Sequence, residues 1–222
     1  MRRAAQPPHP PELPAGLDGV KIGGLAHDGT YAEVELSDAD LRDQRARGVS
    51  FDTVKLSRVD LSGSQLEHLS FTDAWLIDCN LANLQARGAG ATRMRIETSR
   101  LTGIALTEAA LHDLTLEGCR IDLASFSFSR LTRVTFADCI LVQSDFLDAQ
   151  LESVRFHDCD LSGADFRGAR LQSCEFRRSD LSGLQGVQSL RGSAMEWADI
   201  VGMAGLWADA LGIEVLDAVK KG

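Results

Sequence analysis

Five cysteines have the clearest claim to chemistry in this chain of 222 residues. Cys119, Cys139 and Cys159 repeat at an interval of twenty, with Cys79 and Cys174 on either side of the run. A row of thiolates suggests a metal site or a redox relay. Ligands stacked in a straight row, however, do not converge on the tetrahedral geometry that zinc requires. The five histidines, His9, His27, His68, His112 and His157, include no pair at metal-ligand spacing. Gly88-Ala-Gly90 is a fragment of a phosphate-binding loop without the strand-to-helix context such a loop needs. These residues imply no catalytic group, metal or cofactor, and the thiols read as small hydrophobes.

The interval of twenty belongs to a shorter one. Every fifth residue from Leu36 to Leu181 is apolar, with no insertion or deletion. Those thirty positions hold seventeen Leu, eight Phe, two Ile and the three alanines Ala46, Ala86 and Ala91. On an α-helix five residues turn the chain by roughly 500°, so such residues would spiral around it and form no stripe. On an uninterrupted strand an odd spacing would alternate between faces. A corner once per repeat resolves both difficulties, because the bend resets which side is inside.

Two further columns support a corner. The residue two before each apolar centre points to the same side. It holds eight Ala, six Val, five Ser and all five Cys, which suits a narrow interior. The residue two after the centre holds eight Gly, eight Asp and Asn83, the residues that tolerate or stabilise tight turns. Each repeat is therefore a short strand and a turn, with two residues in and three out.

Ala-Asp-Phe-Arg-Gly (Ala164 to Gly168) and Cys-Asp-Leu-Ser-Gly (Cys159 to Gly163) resemble the pentapeptide-repeat consensus, A-(D/N)-L-x-x. The resemblance covers roughly two thirds of the chain. It implies an all-β solenoid, a right-handed quadrilateral β-helix with four pentapeptides per coil. Coils spaced by about 4.8 Å, like neighbouring strands, would then make a rod of roughly 36 Å. Residues twenty apart would stack, giving the ladder Leu36, Leu56, Leu76, Ile96, Leu116, Phe136, Phe156, Phe176. Around Ala86 and Ala91 the interior is thinner, and the weakest packing and a bend are expected there.

The solenoid spans residues 36–185, preceded by cap strands over 17–35. Residues 1–16 carry Pro7, Pro8, Pro10, Pro11 and Pro14 but no apolar run. They read as a disordered tail, not a secretory signal. Gln44 marks a first coil that is imperfect and frayed. The five-residue register breaks at Gly186, and Leu190 and Met195 continue it one residue out of phase. A cap fills 186–222. Its helix, about 194–211, starts on a capping-box pattern at Ser193 and Glu196. Trp197, Ile200, Val201, Ala204, Leu206, Trp207 and Leu211 follow at helical spacing. They close the rod or pair two subunits, as similar C-terminal helices do in the topoisomerase-protecting pentapeptide proteins.

Net charge is −9, which disfavours direct binding of nucleic acid through phosphate neutralisation. No stretch is long enough to span a membrane, and a cytoplasmic location is expected. Asp40, Asp60, Asp160 and Asp180 share one outward row, interrupted by Arg100 and Arg120. Asp38, Asp78, Asp138 and Asp158 share the next. Acidic density therefore gathers at the two ends of the rod. Leu123, Phe128, Ile140, Val142 and Leu147 also fall at outward positions, on two adjoining sides of consecutive coils. Together they should form an apolar patch of the kind that marks a partner surface. These features imply a non-catalytic interaction protein. Its specific form, by the resemblance, is a DNA mimic that binds type II topoisomerase (DNA gyrase) and protects it from quinolones. The alternative is a scaffold that holds a protein partner on the patch near Phe128.

Overall fold

In the computed structural model, which describes residues 4–216, the backbone turns a corner at every fifth residue. From Asp28 to Gly183 each corner has φ between 45° and 70°, whatever its side chain. This left-handed conformation costs an L-residue roughly 1–2 kcal/mol and a glycine almost nothing, which explains the glycines of the corner column. The corners fold the chain into the right-handed quadrilateral β-helix, a stack of about nine parallel turns ending in short helices.

Strand pairing fixes the turn at twenty residues. Strands Thr30–Ser37, Ser50–Ser57, Ser70–Ile77, Gly90–Glu97, Ala110–Glu117 and Arg130–Ala137 each cover two sides and the corner between them. They pair in parallel, Leu36 on Leu56, Leu56 on Leu76, and so on to Phe156 on Phe176. The other two sides are joined by the short pair Arg45–Arg47 with Gln65–Glu67 and by single bridges such as Asp40 to Asp60 and Gln85 to Ala105. Their corners are four-residue turns, closed for example by Ala124 N–H to Ile121 O (3.3 Å) and Ser129 N–H to Phe126 O (3.2 Å). Aspartates just before a centre brace these sides by accepting the N–H two residues on, as Asp160 does from Ser162 (3.0 Å).

The core is a column of rings and branched chains. Phe136, Phe156 and Phe176 stack at 5.0 and 4.9 Å, and Phe126, Phe146 and Phe166 at 5.0 and 4.7 Å. The two stacks meet edge-on at 5.8–6.1 Å, the arrangement that aromatic quadrupoles favour. Where Ala86 and Ala91 thin the core, the neighbouring small column carries Leu69, Leu84, Met94, Ile104 and Leu114, all buried. The compensation is incomplete. An apolar cavity of about 50 Å³ remains beside Ala91, between Phe71, Met94 and Leu111. Gly90–Glu97 keeps the twenty-residue register on both sides of this thin layer.

Both ends depart from their sequence readings. Upstream, Asp18–Gly19 pairs with Val34 and Glu35, and the ladder extends back through Tyr31, which stacks on Phe51 at 5.2 Å. The first coil is tied, not frayed, because Gln44 Oε1 accepts the Leu25 N–H (3.2 Å). Residues 4–16, expected as a disordered tail, lie along the rod, with Ala5 buried and two of their N–H groups bonded to buried aspartates. Prolines lose little conformational freedom on docking, so a segment without an apolar run can still be held.

Downstream, Gly186 has φ 75°, and a Cβ there would sit 2.5 Å from the Arg167 backbone nitrogen. The chain drops onto the last full turn at this point and leaves the register. Met195 then pairs with Phe176, nineteen residues on and one out of phase. Ala194–Met195 is therefore strand, not the start of a helix. The single helix expected over 194–211 is two, α1 (Trp197–Gly202) and α2 (Ala204–Ala210), separated at Met203. The capping box does not form as proposed: Glu196 is the N-cap and makes no side-chain capping bond, and Ser193 Oγ donates to Leu190 O (2.7 Å). Residues 217–222 of the proposed cap, and residues 1–3 of the tail, lie outside the described residues.

Candidate partner surface

The cysteine column is structural in its contacts. All five thiols are buried and free. Each donates to the carbonyl twenty-three residues back, as Cys139 does to Leu116 O (3.5 Å) and Cys159 to Phe136 O (3.5 Å). Serines of the same column repeat the contact, Ser144 to Ile121 O (2.8 Å) and Ser179 to Phe156 O (3.2 Å). Burial pushes the Cys79 thiol up and the Cys174 thiol up to about 11, so both stay protonated at neutral pH. Among the described residues no three His, Cys, Asp or Glu side chains are grouped to hold a metal ion. No helix among them is long and apolar enough to cross a membrane.

The acidic rows form, but arginines interleave with them. Arg58 grips Asp38 with two bonds of 2.6 and 2.8 Å, and Arg178 grips Asp158 at 2.6 and 2.7 Å. Each guanidinium holds its carboxyl below the usual range. Arg42 does the same to Asp40, which falls to about 2. Asp78 accepts from Thr98, while Asp60 accepts from Ser62 and Asn80. Asp180 braces its turn through the Ser182 N–H (2.8 Å), and Asp138 stands exposed. Asp40, Asp60, Asp160 and Asp180 share one line of bridges, interrupted by Asn80, Arg100, Arg120 and Ile140. The ends of the rod, expected as acidic, are thus partly neutralised by groups one turn or two residues away.

The five residues expected as an apolar patch lie on two sides of the rod. Leu123, Ile140 and Val142 share one side, with the Leu123 N–H bonded to Val142 O (2.9 Å). Phe128 and Leu147 share the next, with the Phe128 N–H bonded to Leu147 O (2.9 Å). Leu123, Phe128 and Ile140 are 56%, 55% and 40% exposed, while Val142 and Leu147 are half-buried. Phe128 also borders a shallow groove with Gln65, Gln85, Arg87 and Glu108. Sequence reasoning had not seen that Leu123 (φ 58°) and Phe128 (φ 59°) occupy the left-handed third position of hydrogen-bonded turns. The register itself carried that signal, since both stand in the corner column.

The seven apolar residues of the terminal segment separate into two faces. Leu206 and Trp207 pack on the core with Met203 and Ala210. Trp197, Ile200, Val201, Ala204 and Leu211 face outward, Trp197 at 77% and Leu211 at 75% exposure.

Family models place this geometry. The pentapeptide repeat region matches residues 69–146 and 116–185, and a model of eight pentapeptide repeats matches residues 35–73. The chain belongs to the pentapeptide-repeat family. No curated protein matches this pentapeptide-repeat protein. Among solved structures it is similar to a trypsin-treated form of QnrB1, a plasmid-mediated fluoroquinolone resistance protein. Identity is 19% over 85% of this chain and 100% of that one, with a TM-score of 0.43. It is also similar to HetL, involved in heterocyst differentiation regulation in the cyanobacterium Nostoc sp. strain PCC 7120. Identity is 20% over 80% of this chain and 86% of that one, with a TM-score of 0.40. A third likeness is a pentapeptide repeat protein from the Arabidopsis thaliana thylakoid lumen. Identity is 20% over 51% of this chain and 65% of that one, with a TM-score of 0.22.

Proposed function

We propose that this pentapeptide-repeat protein is a non-catalytic interaction rod that seats a protein partner on Leu123, Phe128, Ile140, Val142 and Leu147. One observation carries this reading. Leu123 and Phe128 sit where the turn wants glycine, and both hold large apolar side chains out to water. The position is unfavourable twice, by backbone strain and by exposure, and neither side chain gives the fold an evident return. Binding DNA gyrase as a DNA mimic would instead call for a continuous negative track, which Arg42, Arg58, Arg100, Arg120 and Arg178 break.

The test compares the wild-type chain with L123G/F128G. Glycine suits both corners, so the variant should fold and be at least as stable as wild type. The wild type should capture its partner from host extract at about 0.1 M and at about 0.5 M salt, since apolar contacts are not screened. The variant should lose that capture at both. Equal capture by the two proteins would end the proposal. Inhibition of gyrase supercoiling that fades with salt and survives in the variant would move the site to the acidic rows.

The outward face of α1 and α2 supports a second element of the proposal, a homodimer. Trp197, Ile200, Val201 and Leu211 make an apolar surface at the end of a rod, and two-fold pairing is the common way to bury one.

A further inference from the structure

The segment leading into the solenoid has a period of its own. Pro7-Pro8-His9 and Pro10-Pro11-Glu12 place a residue with a free N–H after every two prolines. A polyproline II helix has three residues per turn and rises about 3.1 Å per residue, or about 9.3 Å per turn. Two turns of the solenoid, forty residues, advance about 9.6 Å. The two repeats are commensurate, and the contacts follow them. Glu12 N–H donates to Asp73 Oδ1 (2.8 Å) and His9 N–H donates to Asp113 Oδ1 (3.0 Å), forty residues further along the same corner row. Beyond them the Ala5 carbonyl accepts from Arg155 Nη2. Burial in the segment shares the period: Ala5 is buried and Pro8 and Pro11 are half-buried, while Gln6, Pro7, His9, Pro10 and Glu12 are exposed.

The receiving edge is held by bonds within the solenoid itself. Asp73 and Asp113 are buried corner residues, 7% and 5% exposed. Each is clamped by two bonds from the arginine one turn on, Arg93 to Asp73 (2.7 and 2.5 Å) and Arg133 to Asp113 (2.6 and 2.6 Å). Bidentate clamping fixes the carboxylate plane, and a fixed acceptor every second turn can read one N–H in three.

We propose that the Asp73–Arg93 and Asp113–Arg133 edge is a binding site for polyproline II segments of period Pro-Pro-Xaa, with residues 4–14 as its resident ligand, exchangeable for such a segment in trans. Xaa must keep its N–H, so any residue but proline satisfies it. The proposal is independent of the apolar patch.

The test uses a fluorescent peptide of residues 4–16 and the full chain carrying H9P/E12P. These substitutions keep polyproline II geometry and delete only the two donors. Amide resonances of Gln6 and Leu13 should sharpen in H9P/E12P as the segment leaves, with an unchanged circular dichroism spectrum. The freed edge should then bind the peptide at least about ten-fold more tightly than wild type does, because the tethered segment no longer competes. A peptide carrying the same two prolines should not bind, and D73A/D113A in the H9P/E12P chain should abolish binding of the native peptide. If the segment stays docked in H9P/E12P, or if the freed edge ignores the native peptide, the proposal fails. H9P and E12P lie outside the solenoid, so loss of its fold cannot imitate either result, and the D73A/D113A chain counts only if its circular dichroism spectrum matches that of H9P/E12P.

Discussion

At the scale of single residues, position within the repeat decides what a side chain does. The same left-handed corner takes Gly103, where nothing is strained, and Leu123, where only an outside gain would justify the residue. Aspartate has two separate uses: at the corner it offers a carboxylate to the next turn, and before the centre it accepts a local N–H. Cysteine and serine are interchangeable in the inner column, because both tie a carbonyl of a neighbouring turn. C139S should therefore change stability by less than about 1 kcal/mol in chemical denaturation. An aromatic disulfide reagent should find no fast-reacting thiol in the native protein and all five after unfolding. A single thiol that titrates quickly before unfolding would contradict an inert column.

At the scale of elements, each turn is stable through its neighbours. Such a rod has no central globular core, and its weakest layer sets where it opens. That layer is the strand Gly90–Glu97, which places Ala91 between Phe71 and Leu111 beside the 50 Å³ cavity. A91L adds three carbons where there is room for most of them. It should raise stability by about 1–2 kcal/mol, seen as a shift of the thermal midpoint by a few degrees. A lower midpoint would mean that Met94 and Leu114 already claim the space. The herringbone of six phenylalanines toward the C-terminal end stacks at 4.7–5.0 Å, and its first rings, Phe126 and Phe136, form one wall of the cavity.

At the scale of the whole molecule, two devices lie outside the repeat. The proline segment runs opposite to the growth of the solenoid, from Arg155 back toward Asp73, and spans about four turns in eight residues. The terminal helices cover the last turn with one face, and among the described residues the other face is exposed. W197E should convert a dimer to a monomer in sedimentation experiments with the fold unchanged. A wild-type chain that sediments as a monomer would remove the pairing proposal, leaving α1 and α2 as a cap alone.

The order of columns in the sequence already gives a coil with a corner at every fifth residue, the inward Leu and Phe, and the outward placement of Leu123, Phe128, Ile140, Val142 and Leu147, while the twenty-residue turn and its hand come from the resemblance to the pentapeptide-repeat family. The columns follow from a local rule repeated without error. Contacts between distant segments do not. The docking of His9 on Asp113 depends on two unrelated periods reaching the same length. Stacking at twenty residues makes Asp38 and Arg58 neighbours, but the two-bond grip between them depends on how the side chains lie on the assembled turns. The division of the terminal helix at Met203 depends on the end of the rod it must cover. Only the assembled turns decide these contacts, because the local rule says which residues stack and not how side chains and end segments lie on the stack.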